Sequence, residues 1–334
     1  MLKLNTTSKN WINGVDSLRF VLALLVLLSH LDNPITIFLQ KKSTESIDIP
    51  LALSKSVFNG VAAVIAFFII SGFAIHHSAK NNKMNWQKFV LRRYIRILLP
   101  LAIVVLLGFK FNHPEKAVIW SLICELIYYT LYPILRISVS NWVRATKISF
   151  LVSCGLIVSL GWNDLMAFVN QTNYNFHGHY WQFGPYCTWL IGLPCWLMGI
   201  LIAEKVHELK PVTFRSLVLL RLVILFVSMG LNFMKLEFHL SYLLSMNIFA
   251  ILLFIWIKAE ISYYISRPAN RLLEWSGRFS YSLYIVHPIA IIVLKSLIDV
   301  NSITYFLIII FTIVLSYIYY LVIEKPSHKF ATQI

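Results

Sequence analysis

Apolar runs of about 17 to 22 residues recur from one end of this chain to the other, and each is long enough as a helix to cross a hydrocarbon core about 30 Å thick. In such a solvent every backbone N–H and C=O must be bonded within the chain, so runs of this length specify membrane-spanning helices. They lie near 13–31, 58–77, 97–112, 117–135, 148–161, 185–203, 216–232, 240–257, 279–297 and 303–323. The expected fold is therefore an all-α polytopic membrane protein. It is a single bundle of about ten transmembrane helices, one domain over residues 1–334, with no segment left over for a soluble domain. Only 13% of the residues are charged, about half the share of an ordinary soluble domain. The first run is longer than a signal peptide's core and no small-residue cleavage site follows it, so it is expected to remain as a helix.

The net charge of +15 is scattered through short loops rather than gathered in a patch, which argues for a lipid bilayer and against nucleic acid as the partner. With a cytoplasmic amino terminus, 20 of the 29 Lys and Arg residues fall in inner segments and 7 in outer ones or at the outer ends of spans (Lys110 and Lys295), while Arg19 and Arg221 sit deeper within spans. This asymmetry places both termini in the cytoplasm. The four cysteines, Cys124, Cys154, Cys187 and Cys195, show no CxxC spacing and read as buried free thiols.

Two loops differ in chemistry. The inner loop SAKNNKMNWQKFVLRRYIRILLP carries Lys80, Lys83, Lys88, Arg92, Arg93 and Arg96 without one acid. Anchoring to anionic lipid accounts for such a run; a phosphate site accounts for it equally, because Arg93 and Arg96 at i and i+3 share a helical face and present planar forks. The outer loop WNDLMAFVNQTNYNFHGHYWQFG is rich in Trp, Tyr and Asn. Interfacial anchoring explains its aromatics, and a sugar-binding surface is the alternative. His177 and His179 have no nearby acid or Cys, too few ligands for a metal, and none is expected.

The first span also carries residues that are expensive in a membrane. Eleven positions at about 100° and 1.5 Å each leave Arg19 and His30 about 20° apart in azimuth and roughly 16 Å apart along the axis. Asp16 falls on the same side. A charge at mid-membrane costs about 2.5 to 3.5 kcal/mol on insertion scales, so this stripe must face a bundle interior or a wet cavity. Taken singly, Arg19 is explained by snorkelling, Asp16 by capping or pairing with Arg19, and His30 by an interfacial position. Their alignment favours one shared function. Glu125, deep in the fourth span, needs a partner as well, and a contact with His30 would fix the imidazole's tautomer and raise its basicity.

The segments VDSLRF and LLSH, FFIISGFAI, RRYIR, WSLICELIYYTLYP, GRFSYSLYIVHP and IEKP follow one another from residue 15 to 326. In this order they resemble the integral membrane acyltransferase 3 family, the O-acyltransferases of bacterial surface glycans. The resemblance implies a transmembrane acyltransferase domain in the bacterial inner membrane, with acyl-CoA, most often acetyl-CoA, as donor and no metal. The acceptor would be a hydroxyl of a glycan or its lipid-linked precursor. It implies catalytic roles for His30, Glu125, Arg19 and Asp16, donor binding by Arg93, Arg96 and Arg19, and substrate contacts by Ser71, Trp120, Tyr129 and His287. The competing class is a transporter or flippase, since aligned intramembrane charges also mark substrate pathways. The sequence lacks the matching Gly or Pro interruptions of inverted repeats.

Overall fold

The computed structural model describes residues 12–42, 49–81, 83–110, 116–173 and 175–334. Outside them lie the amino-terminal segment with its two lysines, the end of the third expected span and the short turn after it, and part of the first outer loop, together with Asn82 and Tyr174. The helices are α1 (Val15–Ser29), α2 (Pro34–Gln40), α3 (Ile49–Ser56), α4 (Gly60–Ala79), α5 (Trp86–Lys110), α6 (Lys116–Ser138), α7 (Trp142–Leu160), α8 (Trp162–Asn170), α9 (Gly184–Glu204), α10 (Phe214–Glu237), α11 (Tyr242–Tyr264), α12 (Arg271–Gly277), α13 (Ser280–Leu297), α14 (Ser302–Tyr319) and α15 (Lys325–Gln333). The described residues form no strand.

Each expected span coincides with one long helix: α1, α4, α5, α6, α7, α9, α10, α11, α13 and α14. Among the described residues nine stretches are long and apolar enough to cross a membrane. α5 is the exception, because its first turns carry Lys88, Arg92, Arg93 and Arg96 and only its second half is apolar. The chain is thus an all-α polytopic membrane protein. The short helices α2, α3 and α8 fill the loops at the end of the bundle where α1 finishes. Asn33 caps α2, and Asn59 caps α4, by accepting backbone N–H bonds.

The main core surrounds α4 and α9, with α6 and α11 against them; a second cluster joins α1, α13 and α14 through Phe20, Leu27, Phe279 and Ile308. Small residues let α4 and α9 approach until a Cβ added at Gly72 would lie 1.9 Å from the Trp196 carbonyl, and one at Gly199 1.9 Å from that of Ile69. Close backbone packing of this kind drives helix association where lipid is as apolar as the side chains. Gly199→Ala, which must push two backbones apart, is expected to cost about 1 to 3 kcal/mol or more and to lower the melting temperature in detergent by several degrees. Gly230→Ala, where an added Cβ meets nothing within 4 Å, should leave it unchanged in the same thermal-shift measurement.

α5 is pinned around its internal Pro100. The carbonyls of Ile95, Ile97 and Pro100 accept hydroxyl bonds from Ser327 (3.0 Å), Tyr281 (2.8 Å) and Tyr319 (2.6 Å). Proline removes a helical donor, and hydroxyls from three other elements bond to carbonyls beside that break. The result fixes the turns that carry Arg93 and Arg96.

Candidate active site

A cavity of about 430 Å³ opens between the start of α1, the second half of α4, the start of α5, the middle of α6 and the start of α13. Asp16, Arg19, Ser71, Arg93, Arg96, Glu125 and Tyr129 all line it, so seven of the residues singled out in the sequence are brought together from four helices. Tyr281, Tyr284, Glu324 and His328 complete the wall. Asp16 and Arg19, at one end of the polar stripe of α1, therefore face a cavity, as their cost in hydrocarbon requires, while His30 at its other end does not line it. Gly277 lies so close to Asp16 that an added Cβ would meet its carbonyl at 2.3 Å, which seats α12 against the mouth of the cavity.

The guanidinium groups differ in their partners. Arg19 lies 3.7 Å from Asp16, one turn before it. Arg93 stacks between the rings of Phe89 and Tyr129, each 5.6 Å from its Cζ. Neither Arg93 nor Arg96 makes a salt bridge among the described residues. Two planar cations on one helical face, in a cavity and without a salt bridge among the described residues, have the chemistry that suits a polyanion.

Glu125 is held by its own helix and by α4. Tyr129, one turn on, donates a short hydrogen bond to Oε1, and the Ser71 hydroxyl donates to the same oxygen at 3.0 Å. The Trp196 indole N–H reaches Ser71 Oγ at 3.4 Å, which orders the hydroxyl in turn. The expected pairing of Glu125 with His30 is corrected by this arrangement. Glu125 sits where α4 and α6 face each other, whereas His30 ends α1 beyond the ring of Tyr284, so the carboxylate's hydrogen bonds come from Tyr129 and Ser71 instead.

His30 stacks on His287, with ring centroids 5.0 Å apart and planes 24° from parallel. His30 is exposed; His287 is fully buried. His287 Nδ1 lies 3.2 Å from the Leu283 carbonyl, an acceptor, so we assign the ring proton to Nδ1. That leaves the Nε2 lone pair, which has no partner among the described residues. Neither histidine lines the cavity. The rings between are Tyr284, centred 6.2 Å from His287, and Phe67, edge-on to Tyr284 at 5.9 Å. The Tyr284 hydroxyl and Ser121 Oγ share a 2.6 Å hydrogen bond. A continuous row of polar and aromatic groups thus connects His30 with the cavity that holds Glu125. Trp120 stands apart from the cavity as well: it packs behind Phe68 and against Tyr180 of the aromatic loop after α8. In that loop His179 stacks on Trp181 at 5.0 Å. Burial and the Lys235 ammonium hold the His179 imidazole below its ordinary pKa.

The sequence reading assigned no role to three features. His328 lies 3.5 Å from Glu324 at i+4, a spacing visible in the sequence once this segment is read as helix. Glu324 is turned inward by a π-helical turn over Tyr320–Glu324, where it accepts from the backbone N–H and hydroxyl of Ser282 at the start of α13. A second cluster joins α4, α6 and α9: buried His76 contacts Glu204 through Nε2 at 2.5 Å and the Tyr132 hydroxyl through Nδ1 at 3.1 Å. Only spatial pairing reveals it.

Comparison with known proteins places this geometry. A family model described as an acyltransferase domain, that of acyltransferase 3, matches residues 12–321. No curated protein and no solved structure matches the chain. The match spans α1 to α14, and so the histidine pair and all of the cavity wall except Glu324 and His328, and on that evidence the chain belongs to the acyltransferase 3 family and is a membrane acyltransferase.

Proposed function

We propose that the protein is one transmembrane domain that moves an acyl group, most simply acetyl, from cytoplasmic acyl-CoA to a hydroxyl of a surface glycan or its lipid-linked precursor, in a bacterial inner membrane. The observation that carries this reading is the cavity itself: Arg93 and Arg96 in its wall, without a salt bridge among the described residues, then Glu125 with its hydroxyl partners, then a row of rings that ends at His30. Arg93 and Arg96 bind the phosphates of the donor, with Arg19 and Asp16 beside them. The thioester arm extends past Ser71 and Tyr129 toward Phe67 and Tyr284. His30 takes the proton of the acceptor hydroxyl as its oxygen attacks the thioester carbonyl. The C–S bond then breaks, and the departing thiolate recovers that proton as free CoA. Glu125 and the groups bonded to it steady the carbonyl end of the donor, while His287 holds the ring of His30, and Trp120 supports the wall behind Phe68.

Mass spectrometry of surface glycans from cells with and without the gene tests the reaction. Loss of acetyl groups on deletion is expected; unchanged acylation would remove the proposal. Orientation is tested separately. A reporter fused after Ile334 should be cytoplasmic and one inserted near Asn170 external, as the distribution of Lys and Arg requires. An external carboxyl terminus would reverse the direction of transfer.

A further inference from the structure

On the opposite side of the α1–α4 pair lies a second groove of about 330 Å³, between these helices and α10 and α11. Its walls are apolar, with Leu18, Leu22, Leu25, Ile224, Phe249 and Leu253 among them. One end is different. There Glu260, with no exposed surface, accepts Arg221 Nε at 2.6 Å, Arg221 Nη2 at 2.8 Å and the Trp256 indole at 2.8 Å. Both carboxylate oxygens are thereby occupied. Arg221 remains 40% exposed, and its Nη1 has no hydrogen-bond partner among the described residues. At the other end the polar groups satisfy each other: Asn59 donates to the Ser228 carbonyl at 3.3 Å and accepts from the Ala62 N–H.

A ligand for this groove needs a long apolar portion and, at one end only, an acceptor of hydrogen bonds from a guanidinium. The walls exclude a free anion as a sufficient ligand, and Glu260, whose charge Arg221 neutralises and whose oxygens already accept three bonds, offers little to an ammonium headgroup. Arg221 lies seven residues into α10, about 10 Å from its start by helical rise, a depth at which the side chain reaches the headgroup layer by snorkelling. We propose that the groove binds one glycerophospholipid, with an acyl chain along α1, α4 and α11 and the phosphate oxygens on the open edge of Arg221. The Arg221–Glu260 pair then serves two purposes: it neutralises a buried carboxylate, and it aims a fork outward. This site is independent of the acyl-transfer reading.

Native mass spectrometry of the full chain in detergent, titrated with palmitoyl-oleoyl phosphatidylglycerol or with the diacylglycerol of the same chains, tests it. One phosphatidylglycerol should be retained per chain, and the diacylglycerol should bind at least tenfold more weakly. Leu225→Trp fills the groove from a position that is 44% exposed and so tolerates bulk; it should lower phospholipid retention at least tenfold. Arg221→Lys keeps a cation for Glu260 but lacks the outward fork, and should narrow the difference between the two lipids. Equal retention of the two lipids by the unaltered protein, or undiminished retention by Leu225→Trp, would overturn the proposal; if Arg221→Lys fails to fold, the Leu225→Trp arm still decides.

Discussion

His30→Ala protein is expected to insert and fold like its parent and to transfer acyl groups about 10² to 10⁴ times more slowly. A sugar hydroxyl is a poor nucleophile at neutral pH, so the rate depends on a positioned base. His30 is the exposed member of the stacked pair, and its removal leaves no cavity in a packed core. Purified variant protein with the parent's elution profile and melting temperature, assayed with radiolabelled acyl-CoA and glycan, gives the measurement. A rate near the parent's would reduce the polar stripe of α1 to a structural role. The same preparation separates two routes. If the imidazole itself takes the acyl group first, label exchanges between acyl-CoA and free CoA without acceptor; direct attack gives no such exchange. Glu125→Gln should be impaired less than His30→Ala, since its hydroxyl partners would still order an amide oxygen while the base remained.

Arg96→Lys should raise the apparent KM for acyl-CoA by roughly tenfold or more, with kcat changed far less. A lost charge-assisted hydrogen bond is worth about 1.5 to 3 kcal/mol, and lysine keeps the charge but not the planar fork. The contrast with Lys88→Gln matters here. Lys88 is an exposed residue of the same helix and does not line the cavity. If general attraction to acidic lipid or donor were the whole effect, Lys88→Gln, which loses a charge, would weaken donor use and Arg96→Lys, which keeps one, would not. Donor dependence unchanged in Arg96→Lys would return the basic run to membrane anchoring.

The spans were legible because hydrocarbon thickness fixes their length, and every expected run found its helix. The start of α5 lay outside the expected span, since Trp86–Arg96 is too polar to read as part of one, and the bonds that Ser327 and Tyr281 make to the Ile95 and Ile97 carbonyls have no signal in the sequence. Within the cavity, Arg19 and Asp16 were readable from helical azimuth, and Tyr129 only through the resemblance of the segment that carries Glu125. The partner of His30 was not. Two residues 257 positions apart stack only because α1 packs on α13, and a single sequence carries no record of such register. Glu260 was missed for the same reason: Arg221 was conspicuous in its span, but its counter-ion lies on the next helix.

The edge-to-face contact of Phe67 with Tyr284 has an energetic meaning for the cell. An enzyme that draws its donor from one side of a membrane and serves an acceptor on the other needs a path for an acyl group, yet any continuous water wire along that path would short-circuit the proton gradient. Two rings packed edge to face in the cavity wall would oppose the passage of hydrated ions, whose desolvation there is costly. Under the proposed reaction an acyl-thioester chain would have to part these two rings to pass. On this view the gradient is most exposed just after the spent carrier withdraws, and the rate at which the rings close again limits how fast such an enzyme can safely turn over.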